Sequence, residues 1–163
     1  MAKTIHRAFA ERRPVEKVTE AGGRVDDHED QILADELAAL AASVGAWGGL
    51  TRFVAKLMRK NVHEIDLVVA LPFEDTVERV AHVLERAGRR VGPVSERVED
   101  QRTIRVVTGG GAGGMNPVVV TALVTKSGAS DSQVRLRAAA KEGLIRQRAG
   151  EQTATRLAAL LDT

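Results

Sequence analysis

The side chains best placed to do chemistry sit on one short stretch near the C-terminal end. From Gln133 to Ala140 the residues alternate: Val134, Leu136, Ala138 and Ala140 are apolar, and Arg135 and Arg137 stand between them. Lys141 follows on the same parity, and Arg146 and Arg148 come soon after. Successive side chains of a strand point to opposite faces, so this spacing predicts an apolar face and a basic face on one strand. Arg105 joins the basic face from a neighbouring strand over 103–108. Between Ser132 and Arg148 there are five basic residues and one acid. Arg105, Arg135, Arg137 and Lys141 are therefore the candidate ligand-binding residues, suited to phosphate, to nucleic acid or to an acidic partner. The competing reading is an ordinary solvated face, which a half-buried strand requires anyway. Nucleic acid is the less favoured ligand, because these strands carry no Phe, Tyr or Trp on which bases would stack.

The second chemical candidate is the run Gly109-Gly110-Gly111-Ala112-Gly113-Gly114-Met115-Asn116-Pro117. Gly109, Gly111 and Gly114 satisfy a G-x-G-x-x-G spacing. That motif cradles a pyrophosphate only when a helix N-terminus follows it. Here Pro117-Val118-Val119-Val120 follows, which reads as a strand, and no Lys-Ser or Lys-Thr pair completes a P-loop. The run reads as a hairpin loop, with Gly109, Gly111, Gly114 and Asn116 as a candidate lid over a site.

Other chemistries have little support. With no cysteine there are no disulfides, thiolate metal sites or cysteine nucleophiles. The histidines, His6, His28, His63 and His82, show no metal-ligand spacing, and no G-x-S-x-G elbow is present. Glu142 is a candidate tuned carboxylate, set against a plain strand-end acid beside Lys141. No catalytic residue, metal ligand or cofactor is assigned from the sequence.

The elements that would position these residues follow from periodicity. Ile65–Ala70 reads as a strand ended by Pro72. A helix follows from about Glu74 to Ala87, with Val77, Val80, Ala81 and Leu84 on one face and Gly88 as its stop. Three strands come next, over 103–108, 117–125 and 133–140, and a helix from about Gln147 to Leu161 closes the chain. The order β-α-β-β-β-α predicts an α+β fold: an antiparallel sheet of about four strands with helices on one face. Upstream, Leu33, Leu37, Leu40, Val44 and Trp47 predict a helix whose start is marked by Asp26, Asp27, Glu29 and Asp30. A second helical stretch is expected over 50–60. Gly45-x-x-x-Gly49 beside Trp47 allows close helix contact, self-association or rest on a membrane surface. The expected organisation is a partly ordered tail over 1–28, a helical segment over 29–61 and an α+β domain over 62–163.

The 163 residues carry 24 basic and 22 acidic side chains, a net charge of +2, with 44% hydrophobic residues. A charge this small gives no long-range field that would itself argue for nucleic acid. The longest uncharged stretch, Leu37 to Thr51, is too short to span a bilayer, and the residues from Met1 to Arg7 lack the apolar run expected of a secretory signal. A cytoplasmic location is expected. At the level of architecture, residues 64–161 resemble helix-grip lipid- and ligand-binding folds, with fewer strands than a full version. That resemblance implies ligand binding and transfers no site residues. Three functions stay open: a non-catalytic module that binds a small ligand or a second copy of itself, a nucleic-acid or phosphate binder using the basic face, and an enzyme with a pocket under the glycine loop.

Overall fold

The computed structural model describes residues 19–43, 58–92, 100–110, 116–142 and 148–162. Three helices and five strands lie among them: α1 (Thr19–Ser43), β1 (Arg59–Val69), α2 (Phe73–Ala87), β2 (Arg89–Arg90), β3 (Gln101–Gly110), β4 (Asn116–Lys126), β5 (Ser132–Glu142) and α3 (Ala149–Leu161). The strands form one antiparallel sheet in the order β1-β5-β4-β3-β2. The fold is α+β, as the alternation along the strands predicts.

The sheet is built from two hairpins, the short pairing of β2 with β3 (Arg89↔Val107, Arg90↔Val106) and one long-range closure. β3 pairs with β4 from Gln101↔Thr125 to Gly110↔Asn116, and β4 with β5 from Val118↔Ala140 to Lys126↔Ser132. β1 then docks on the outer side of β5, from Arg59↔Glu142 to Val69↔Ser132.

α2 and α3 cover one face. Their apolar stripes, Val80 and Leu84 on α2 and Ala154, Leu157 and Leu161 on α3, meet Val106, Val118, Val120, Val124, Val134 and Leu136. Burial of each Val or Leu side chain among these stabilises the fold by about 1.5–3 kcal/mol. Two glycines let backbone approach backbone. A Cβ on Gly88, which ends α2, would lie 2.3 Å from the Val107 carbonyl oxygen. One on Gly150 would lie 3.0 Å from that of Ala138. At the start of α2 the Thr76 hydroxyl donates to the Leu71 carbonyl at 3.2 Å, and Ser132 donates to the same oxygen at 3.2 Å, tying the helix to β5.

α2 and α3 share one face as expected, and the N-terminal helix α1 lies across the opposite face through Leu33, Val107, Val119 and Ala139. Other expectations need correction. α1 begins at Thr19, so residues 19–28 are helical and the acidic cluster falls inside the helix instead of at its start. β1 begins at Arg59, six residues before the expected strand, and takes in Arg59 and Lys60 from the expected 50–60 helix. Pairing with β5 outweighs local helical spacing there. β2 is too short to leave a periodic signal. On the predicted apolar stripe of α1, Leu33 is buried, Leu37 half-buried and Leu40 43% exposed. Val44, Trp47, Gly45 and Gly49 lie outside the described residues.

Candidate ligand-binding face

On β5 side chains alternate between the two faces, and burial alternates with them from Ser132 to Ala138, beyond which both faces are buried. Gln133, Arg135, Arg137, Ala139 and Lys141 point to the α1 side. The register sets Thr121 of β4 opposite Arg137, Arg105 of β3 opposite Thr121, Glu64 of β1 on the far flank of Arg137, and Lys60 opposite Lys141. The basic face of the sequence therefore exists as a patch, and it divides into a covered half and an open half.

The covered half is a charged network under α1. Glu29 lies one helical turn before Leu33, so both face the sheet, and its carboxylate is fully buried. Arg137 Nε donates to both Glu29 oxygens at 3.2 Å. Thr121 Oγ1 donates to Glu29 Oε1 at 3.3 Å and accepts from Arg105 Nε at 3.0 Å. Lys60 Nζ stands 3.4 Å from Glu29 Oε2. Arg137 Nη1 also pairs with Glu64. Asp30 lies 3.6 Å from Lys60 and 3.8 Å from Lys141, which is only 5% exposed, and Asp30 Oδ1 is buried without a hydrogen bond. Burial pulls the Arg105 guanidinium below its ordinary range, and the Glu29 charge offsets part of that pull. At the sheet's other edge Arg89 of β2 pairs with Glu36 of α1.

The open half begins one residue pair further along β5. Arg135 is exposed and forms a two-pronged pair with Asp66, at 2.7 Å from Nε and 3.4 Å from Nη2. The Asp66 hydrogen bond, with its charge, holds the Arg135 guanidinium above its ordinary range. Beside this pair lies a hollow of about 360 Å³ lined by Asp66, Leu67, Val68, Leu123, Thr125, Gln133, Val134 and Arg135. Val68, on its β1 side, is 70% exposed, an unusual state for a strand valine. A second hollow, about 460 Å³, lies between α2 and α3 and is lined by residues including His82, Arg86, Arg156 and Leu160.

The four candidate basic residues thus share one face, with Arg105, Arg137 and Lys141 under α1 and Arg135 beside the hollow. Of the candidate lid, Gly109 is the second-last residue of β3 and Asn116 opens β4, while Gly111 and Gly114 lie outside the described residues. Glu142 serves a structural end: its Oε1 accepts from the Ala149 backbone N–H at 3.0 Å and from Asn61 Nδ2 at 3.1 Å. It satisfies one of the free N–H groups that begin α3. Glu29, Lys60, Glu64 and Thr121 were not among the sequence candidates. Glu29 leaves one trace there, an acid in line with Leu33 and Leu37 on an apolar stripe. Among the described residues no three His, Cys, Asp or Glu side chains converge to hold a metal ion, and no helix is long and apolar enough to cross a membrane.

No protein-family model matches this chain, and no curated protein does. Among solved structures, the human StarD13 (DLC2) lipid transfer and protein localization domain aligns with 62% of this chain and 75% of its own, at 10% identity and a TM-score of 0.34. The Zhui aromatase/cyclase from Streptomyces sp. R1128 aligns with 63% of this chain and 84% of its own, at 11% identity and a TM-score of 0.28. The chain is similar to these proteins only at that level, and the likeness is too slight to carry an argument about what it binds.

Proposed function

We propose that the chain is a non-catalytic binding module that holds a small, partly apolar ligand in the hollow beside Arg135. The observation that supports it is Val68, a large apolar side chain left exposed at the wall of a hollow whose other side carries polar groups. Concave sites of roughly 300–1,000 Å³ with an apolar lining and a few polar groups are the usual form of small-ligand sites. On the opposite face the same strands meet α2 and α3 through Leu84, Leu136, Leu157, Val118 and Val120, all fully buried. That layer is filled by side chains.

The test uses octanol and octanoate as probes, each titrated calorimetrically into the intact protein, with retained ligand sought by native mass spectrometry. Saturable binding of at least one probe, abolished by Val68→Glu, supports the reading. Neither probe binding, together with no small molecule retained on purification, overturns it. Val68 is exposed, so the substitution should leave the melting temperature nearly unchanged.

Self-association is the second reading, and β1 favours it. β1 is an eleven-residue edge strand, paired among the described residues only with β5. Such an edge can accept a further strand. Static light scattering at micromolar concentration that reads a monomer overturns this second reading. The nucleic-acid reading draws no support from the geometry, since Arg105, Arg137 and Lys141 lie beneath α1.

A further inference from the structure

We infer that Arg137, Lys60 and the Arg105–Thr121 pair form a carboxylate-binding site that Glu29 fills as an internal ligand, and that an anionic amphiphile in the neighbouring hollow displaces it. The inference rests on the proposed binding reading and adds the chemistry of the head group. The geometry around Glu29 is that of a bound carboxylate. Arg137 Nε reaches both of its oxygens, Thr121 Oγ1 donates to one, and Lys60 stands beside the other. Charge-assisted bonds of this kind recognise a carboxylate by shape as well as by charge.

The site and the hollow are adjacent. Arg137 follows Arg135 by two residues on the same face of β5, about 7 Å along the strand. On β4, Thr121 and Leu123 repeat the same step, one under Glu29 and the other in the hollow. A ligand with its tail against Val68 and Leu123 therefore brings a terminal carboxylate towards Arg137.

Displacement is energetically open. A buried ion pair gains little net stability, because its attraction is offset by lost hydration. An incoming carboxylate would remake the bonds to Arg137 and Thr121, while Glu29 regains water. α1 is also thinly held: among its described side chains only Glu29 and Leu33 are buried.

The experiment compares octanoate with octanol on the wild-type protein and on Glu29→Gln, checked for folding by circular dichroism. Removing the internal competitor should tighten octanoate binding roughly 10-fold or more, the scale of one charge-assisted hydrogen bond, and leave octanol unchanged. In the wild type, octanoate should speed amide hydrogen exchange over residues 27–43 while octanol does not. This second readout needs no substitution. Equal binding of the two probes, both sensitive to Val68→Glu and unaltered by Glu29→Gln, overturns the inference and leaves the binding module standing. Binding of neither probe overturns the inference, and together with no small molecule retained on purification it overturns the binding module as well.

Discussion

β5 presents two different surfaces from one run of residues. Val134, Leu136, Ala138 and Ala140 face α2 and α3 and are buried in an apolar layer. One residue out of phase, Arg135, Arg137 and Lys141 face α1, where a buried carboxylate, three further ionic partners and an open hollow share the surface. The apolar face is stabilised by non-directional burial, which tolerates apolar side chains of the right volume. The charged face is stabilised only while each partner is present, because a part-buried cation that loses the Glu29 carboxylate is only partly rehydrated. The two faces should therefore fail in different ways.

The sharpest way to break the comparison is Glu29→Ala. It leaves Arg137 and Lys60 facing an empty site, and unfolding in urea should show a loss of about 3–5 kcal/mol. Replacing Glu29 and Arg137 together by Leu and Met should recover most of that loss, as apolar replacement of a whole buried pair often does. If the double variant is as unstable as the single one, the network is a packing site and the contrast drawn here is wrong. On the apolar face, Leu136→Ala should cost about 2–5 kcal/mol by opening a cavity where a fully buried side chain stood. No second substitution by a charged partner should rescue it.

A smaller effect is expected at the seam between helix and sheet. Gly88→Ala puts a methyl group against the Val107 carbonyl, and the resulting shift should cost about 1–3 kcal/mol. The smallest belongs to the open half of the charged face. Arg135→Ala removes an exposed pair with Asp66, and the loss should be about 0–1 kcal/mol, falling further in high salt. A large effect at Arg135 would mean that the hollow is closed over in solution.

The sequence carried the strand alternation, and with it the placement of Arg105, Arg135, Arg137 and Lys141 on one face. It carried α2 and α3 for the same reason, since Val80 with Leu84 and Leu157 with Leu161 recur at helical spacing. What covers the basic face was not legible. Glu29 sits more than a hundred residues from Arg137, and an acid on an apolar stripe has no local meaning until the sheet lies beneath it. Lys60 was missed because the basic residues before it continue a helical spacing, while its strand partner Lys141 lies far along the chain. Glu142 shows the same limit: its role depends on the start of α3 and on Asn61 arriving at one oxygen.

The register of β1 against β5 has a consequence for how the molecule is made. Asn61 pairs with Ala140, so β1 finds its partner only after β2, β3 and β4 have been built. Until then an eleven-residue strand waits with both edges bare, and closing so long a loop is slow relative to forming the hairpins. A stalled or truncated chain that stops before residue 132 should hence be far more prone to aggregate than one that stops just after β5.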